Sequence, residues 1–555
     1  MNSIWNKNKS LFKARFPSLF ALLGCDTCDD GADERIFFES WKISPAKNGS
    51  VSAMQQGLWL HSSYNPEKEA FSLVSKELSS HSDCSALVFC GFGLGYGAIE
   101  AAKLLKKQNN NGVLPDDAQS TVQNVVKAAA KKTLVLIEPD ANCFFCALSL
   151  LDWSDVFAYE NIILLISCPP EQCMSVLNNL GILKSVFFTN KAHAQHAKAY
   201  FDTLSLLVER NRKKETINEA TTKKFGKRWN VNCLKNAETV SCLDGIAPFK
   251  DCATGLPFTV IAAGPSLSTM LSSLKDVQDR TVTVCVDTAL RACLSVGVEP
   301  DFIIISDPQY WAYRHIADLK APRSILIASS DVYPSVFRFQ CKKIICASSQ
   351  LPIGKYFEAK CGVKGDLGAG GSVASCAWNF AAYCGAKKIF LLGLDFAFAE
   401  KQTHFKGSAF EEAAHVSSLK ITPAENFFVS SMISGNAEKG ENYVGESVAT
   451  DQRMKMFAWW FESRIAERVD VKTYTFFERG LKIPGVAVSS LADAISLPAV
   501  ESQKAAFLRG ASKGFMDAKA IEMCKKKYKA ASKALKIMLA DVDMADFSAV
   551  ERKLH

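Results

Sequence analysis

Three stretches decide how this chain reads: Phe258-Thr-Val-Ile-Ala-Ala-Gly-Pro-Ser-Leu267, Lys364-Gly-Asp-Leu-Gly-Ala-Gly-Gly-Ser-Val373, and Ile389-Phe-Leu-Leu-Gly-Leu-Asp-Phe396, the last running on to Thr403-His404. The first and third are strand-length apolar runs that stop at glycine and a polar residue. The second is a glycine turn that opens a helix. Strands that end in this way beside helices form the ligand-binding edge of an α/β sheet. Further apolar runs occupy 282–286, 302–306, 324–328, 343–347 and 388–392, with small-residue helical stretches at 289–296 and 372–383. This alternation predicts a Rossmann-like α/β domain with a mostly parallel sheet over residues 236–490.

A smaller N-terminal α/β domain is expected over residues 1–235. Its strands are 86–90, 133–137, 162–166 and 185–188, and 108–123 is a polar loop. A lead-in segment precedes them, with a helix at 6–23, short strands at 37–53 and a helix at 67–78. A linker follows from residue 211, first a charged helical piece at 212–228 and then a Cys- and Asn-rich connection. Gly91-Phe-Gly-Leu-Gly-Tyr-Gly97 and Glu138 imitate a dinucleotide fingerprint, but their separation is more than twice the ~20 residues of a compact unit. Packing is the plainer reading. From Gly514 to Leu554 no Gly or Pro occurs, and apolar residues at helical spacing face many lysines. Residues 491–555 therefore read as a C-terminal helical domain.

Composition narrows the function classes. The chain has 555 residues, is 48% hydrophobic and 22% charged, and carries a formal charge of +8. That mild basicity suits an acidic ligand such as a sugar nucleotide. No basic block is interleaved with aromatics, so nucleic acid is not an expected partner. No apolar run approaches the ~20 residues of a membrane helix, so no membrane insertion is expected. Phe16-Pro-Ser-Leu-Phe-Ala-Leu-Leu-Gly-Cys25 imitates a lipoprotein signal, but its apolar core is short and reads equally as an amphipathic helix. The 19 cysteines are scattered, many in apolar context, which fits a reducing cytoplasm. Two CxxC pairs, Cys25/Cys28 and Cys143/Cys146, lack a second pair at zinc-ribbon spacing. No metal is expected.

Each candidate site residue has a plainer alternative. Gly264, Pro265, Ser266 and Leu267 can hold a phosphate on first-turn amides, or form an ordinary strand-to-helix turn with Ser266 as a cap. Asp287 and Asp307 stand just past consecutive strands, where they meet a ligand or cap helices. Gly370, Gly371 and Ser372 can wrap a nucleotide, or form a surface loop. Gly393 and Asp395 end the last strong strand, and His404 follows, a plausible acid/base pair or an ordinary loop histidine.

Taken together, these motifs resemble the motility accessory factor family, whose central domain is shared with 6-hydroxymethylpterin diphosphokinase-like proteins. His61-Ser-Ser-Tyr-Asn-Pro66 and Gly91-Phe-Gly-Leu-Gly-Tyr96 resemble the family's N-terminal domain. Ala263-Gly-Pro-Ser-Leu267, Asp287-Thr-Ala-Leu290, Glu299-Pro-Asp301, Ser306-Asp-Pro308, Gly371-Ser-Val373 and Gly393-Leu-Asp395 through Thr403-His404 resemble the central one. The resemblance implies an inverting transferase with a sialyltransferase-like core. It would move a nonulosonic acid from a CMP-activated donor to Ser or Thr of flagellin before export, with no other cofactor. The donor would lie across Gly264–Leu267, Asp287, Asp307 and Gly370–Ser372, with His404 as base and His415 as the alternative. Bacterial sialyltransferases carry Asn where this chain has Ala263 and Asp287, and Tyr where it has Ala397. Two other activities fit the same motifs: a metal-dependent pterin diphosphokinase, and a non-catalytic flagellin chaperone or adaptor.

Overall fold

The computed structural model describes residues 2–24, 41–110, 132–368 and 370–539. Cys25/Cys28, residues 37–40 of the expected lead-in strands, positions 111–123 of the polar loop, Ala369 and residues 540–555 lie outside the described residues. The chain forms two compact units, Met1–Ala220 and Thr221–His555.

Unit 1 opens with helices Asn2–Arg15 and Pro17–Leu22. These belong to its core. Phe12 packs against Phe20, Phe144 and Phe157. Buried Asn8 donates to the carbonyls of Leu148 and Leu151, both at 2.7 Å, and accepts from the Trp153 amide at 3.0 Å. All its amide groups are paired, as burial demands. An antiparallel meander follows, β1 (Trp41–Pro45), β2 (Val51–Gln55) and β3 (Leu58–Trp59). Then β4 (Ala86–Cys90), β5 (Thr133–Glu138), β6 (Ile162–Ile166) and β7 (Ser185–Thr189) form a parallel sheet in the order β6-β5-β4-β7. Central β4 is buried throughout, which is why it reads as an unbroken apolar run.

The charged piece at 212–228 is helical as expected, but the Cys- and Asn-rich connection after it is a correction. Residues 198–242 form one 45-residue helix, Lys198–Cys242. Asn and Cys are weak helix formers, and here tertiary bonds override that preference. Asn232 Nδ2 donates to the carbonyls of Pro308 (2.9 Å) and Asp331 (3.0 Å), and Asn236 Nδ2 to those of Ser330 (3.0 Å) and Val332 (2.8 Å). The Asn-rich stretch thus fastens two loops of the unit 2 sheet.

That sheet contains β8 (Phe258–Ile261), β9 (Val282–Val286), β10 (Phe302–Ile305), β11 (Lys320–Ala328), β12 (Gln340–Cys346) and β13 (Lys388–Leu392). After the hairpin β14 (Glu438–Glu441) and β15 (Ser447–Thr450), two further strands extend it, β16 (Lys472–Thr475) and β17 (Val486–Val488). The order is β12-β11-β10-β9-β8-β13-β16-β17, parallel throughout. The α/β class expected from the motifs is the class observed. Strand order reverses between β8 and β13, the topological switch point where open α/β sheets bind ligands.

Helices Leu491–Ile495, Glu501–Ser512 and Ala518–Leu539 end the described chain. Phe507 packs among the rings of Phe249, Phe258 and Phe302, so these helices share the sheet's core. Tyr356 Oη donates to the Ala531 carbonyl at 3.0 Å, while Lys525, Lys526, Lys527 and Lys529 face solvent. Among the described residues, no helix is long and apolar enough to cross a membrane.

Candidate functional site

The switch point is built by two close-packed turns. Past β8, the Gly264 amide donates to the Gly393 carbonyl at 2.7 Å. A Cβ on Gly264 would stand 2.5 Å from that oxygen and 2.7 Å from Asp395 Oδ2, so only glycine fits. Gly393 has a φ of +69°. Asp395 is buried and clasps the opposite turn: its Oδ2 accepts the Ser266 amide at 2.7 Å, and its Oδ1 accepts the Ser266 hydroxyl in a short hydrogen bond. Burial pushes the Asp395 carboxyl up to about 6, against the pull of these bonds. Ser266 therefore spends its side chain on Asp395 rather than on capping the helix. That helix, Leu267–Met270, is a single turn whose amides bond back into the turn itself. Phe396 follows with a φ of +46°. A bulky residue in the left-handed region costs roughly 1–3 kcal/mol and is characteristic of functional sites.

The next strand ends carry a row of carboxylates. Asp287 follows β9, Asp307 lies two residues past β10, and Asp331 lies in the loop after β11. Asp287 is 2% exposed and its Oδ1 has no hydrogen-bond partner. Burial, reinforced by the Asp307 carboxylate, pushes it up to about 7. Asp331 is likewise pushed up to about 6 by burial and by Asp307. Asp307 accepts the Gln309 amide at 2.7 Å. Asp331 was not among the residues singled out from the sequence. The signal existed, because Asp331 repeats the pattern of Asp287 and Asp307 on a third consecutive strand.

His404 is brought to the switch point by its neighbours. The Phe405 amide donates to the Ala263 carbonyl at 3.0 Å, and the Lys406 amide to Ser268 Oγ at 2.9 Å. The His404 ring stacks on Phe410 with centroids 4.0 Å apart, and its Nδ1 lies 3.1 Å from Thr403 Oγ1. Phe410 also meets His315, on the helix Tyr310–Ile316 that follows Asp307. Burial, with the fields of His315 and Arg453, lowers His404 to about 4. Burial and Arg291 lower His315 to about 4. Both imidazoles are thus neutral at neutral pH. Arg291, His315 and Arg453 carried no motif and were not singled out. His415 sits in the last turn of helix Ala409–Val416, exposed to solvent.

Gly370, Gly371 and Ser372 lead into helix Val373–Tyr383, which Ser372 caps by accepting the Ser375 amide at 3.3 Å. Cβ atoms on Gly370 and Gly371 would each stand 2.7 Å from a ring, Trp460 and Phe457 respectively, on helix Gln452–Glu467. Cys376, in this helix's first turn, bonds Ser306 and senses Asp331. The glycine turn therefore belongs with the acidic strand ends, and His404 with the Gly264 turn. The Gly264 turn and Asp287 follow the adjacent strands β8 and β9.

Residues 231–401, which hold both groups up to the edge of the His404 loop, match the family model described as 6-hydroxymethylpterin diphosphokinase MptE-like. A protein of Treponema pallidum (strain Nichols), itself described only as uncharacterized, is 34% identical over 233 residues, 37% of this chain and 59% of that protein. The match thus spans about three fifths of that relative's length. A second protein of the same organism is 24% identical over 269 residues, 48% of this chain and 83% of its own. Among solved structures, the Maf glycosyltransferase from Magnetospirillum magneticum AMB-1 superposes with a TM-score of 0.57 at 14% identity, covering 100% of this chain and 86% of that one. The fold is a Rossmann-like α/β fold, and residues 231–401 within it are similar to the MptE-like family. The chain as a whole has the Maf-type fold, in agreement with the motif resemblance.

Proposed function

We propose that this chain is a glycosyltransferase that moves a nonulosonic, sialic-acid-like sugar from a CMP-activated donor to Ser or Thr hydroxyls of flagellin, in the cytoplasm, before export. The supporting observation is the neutral, half-buried His404 held beside the Gly264–Leu267 turn at the sheet's switch point. Its Nδ1 is turned to Thr403, which leaves Nε2 for a proton. Nε2 takes the proton of the acceptor hydroxyl as that oxygen attacks the anomeric carbon. The bond to the phosphate breaks, CMP leaves with the electron pair, and configuration inverts. CMP is a good leaving group, so fixed donors and a nearby cation suffice in this reading; Arg453 is the cation whose charge acts on His404. Asp395, with both oxygens committed to Ser266, acts as a positioning residue. Beyond Phe410, the exposed Val416, Leu419, Ile421 and Ile433 suit a protein acceptor better than a small one. The test is incubation of the purified chain with CMP-nonulosonate and flagellin. Flagellin should gain the sugar's mass, and His404→Ala should abolish the gain. Full activity of that variant would remove His404 from the mechanism.

A second reading rests on the acidic row. Asp287, Asp307 and Asp331 could hold Mg²⁺ for a pterin diphosphokinase, the activity for which the matching family model is named. Metal-dependent ATP consumption with a hydroxymethylpterin, and none of a CMP-sugar, would favour it.

A further inference from the structure

Unit 1 holds a cluster of donor side chains that the proposed transfer does not use. Glu138 ends β5, Asp140 caps helix Ala141–Leu150, and Cys143 lies in that helix's first turn. His193 and His196 lie on helix Lys191–His196, which follows β7. The ligand atoms of Glu138, Cys143 and His193 all lie within 4.8 Å of one another, and so do those of Asp140, Cys143 and His196.

The two trios are differently engaged. Glu138 and His193 are each 1% exposed; His193 Nε2 stands 2.7 Å from Glu138 Oε2, and Nδ1 3.1 Å from Gln55 Oε1. That is a closed, hydrogen-bonded pair, with both ring nitrogens of His193 engaged. In the outer trio, Asp140 Oδ2 is 3.6 Å from Cys143 Sγ and 3.8 Å from His196 Nε2. Bonds of about 2.3 Å to sulfur and about 2.0–2.1 Å to nitrogen and oxygen, at tetrahedral angles, place the ligands of zinc roughly 3.3–3.5 Å apart. These two separations lie within about half an ångström of those edges, and the third, between Cys143 Sγ and His196 Nε2, is within 4.8 Å; the thiol donates to Asp140 Oδ2, while the imidazole distance is too long for a hydrogen bond. Helix capping occupies only Asp140 Oδ1, which accepts the Asn142 amide at 2.9 Å.

We propose that unit 1 binds a zinc ion through Asp140 Oδ2, Cys143 Sγ and His196 Nε2. Thiolate, imidazole and carboxylate together select zinc over magnesium or calcium. Three protein ligands leave the fourth tetrahedral position to water, which the side-chain exposures of Asp140 (36%) and His196 (29%) admit. On binding, the Cys143 thiol gives its proton to solvent. Glu138 supports the site from behind, since its Oε1 accepts the Asp140 amide at 3.0 Å. Cys146, the other half of the CxxC pair, is not among the side chains whose donor atoms come together here, and is not a ligand. The ion joins the segment after β5 to the helix after β7, across the end of β4.

Full-length chain, stripped with a chelator, is titrated with Co²⁺ as the probe, read by visible absorption and thermal melting. One equivalent should bind with a thiolate-to-cobalt charge-transfer band and raise the melting temperature. The band should vanish in Cys143→Ala and persist in Cys146→Ala. His196→Ala, at a partly exposed position that the fold tolerates, should weaken binding by about tenfold or more. No thiolate band in the wild type, or the same band in Cys143→Ala, overturns the proposal. None of these readouts depends on transferase activity.

Discussion

Replacing Asp287 with asparagine keeps the side chain's shape and removes its charge. The position is 2% exposed, one oxygen lacks a partner, and the carboxyl is pushed from 3.8 up to about 7. A carboxyl raised in the folded state keeps its proton longer there than in the unfolded chain. Its contribution to stability is therefore fullest below pH 3.8, falls as pH climbs toward about 7, and stays at its low value above. At about pH 8 the ionised group costs about 4 kcal/mol, and about 3 kcal/mol of that develops between about pH 5 and about pH 8. Asparagine has no such dependence. The stability of Asp287→Asn relative to wild type should therefore improve by about 3 kcal/mol between those two conditions. Urea unfolding of the full chain at both pH values, following the Trp378 and Trp460 region of unit 2, measures this. An unchanged difference, or a variant that loses ground at the higher pH, would refute the picture of Asp287 as a buried, partly unpaired carboxyl. A loss of transfer alongside the gain in stability would mark the position as one held for function.

Three other outcomes follow from the same geometry. Gly264→Ala places a methyl against the Gly393 carbonyl and should destabilise unit 2 by about 3 kcal/mol, seen as a lowered urea midpoint. Ser266→Ala strips Asp395 of its hydroxyl donor and should cost about 1–3 kcal/mol, with a drop in kcat because the two switch-point turns loosen. His404→Ala should lower kcat by about 10²–10⁴-fold with little change in KM. Because His404 is lowered to about 4 and must be neutral to accept a proton, the wild-type rate should stay level through neutral pH and fall only as pH drops toward about 4.

Much of the unit 2 fold was visible in the chain because its central strands are buried on both faces. Runs such as Phe302–Ile305 leave no alternative reading, and each stops at a turn residue. Strands β16 and β17 were not visible. Lys472-Thr-Tyr-Thr475 is short and mixed, and it is a strand because it pairs with β13. Within Lys198–Cys242 the charged piece at 212–228 was legible as helical, but the Cys- and Asn-rich stretch after it read as a connection, because its Asn232 and Asn236 serve tertiary bonds rather than helix propensity. In the candidate site, the glycine turns announced themselves, and the clasp between Ser266 and Asp395 did not. The two are far apart in the chain, and only the close approach of β8 and β13 joins them. The neutral state of His404 was equally hidden, since it comes from burial of the ring, stacked on Phe410, and from the fields of His315 and Arg453.

The most direct measurement is the intact mass of flagellin after incubation with the purified chain and a CMP-activated nonulosonic acid, with free CMP measured in parallel. The proposed function predicts one sugar mass gained per CMP released, with both lost in His404→Ala. Unchanged flagellin and no CMP release, with metal-dependent ATP turnover on a hydroxymethylpterin instead, would contradict it.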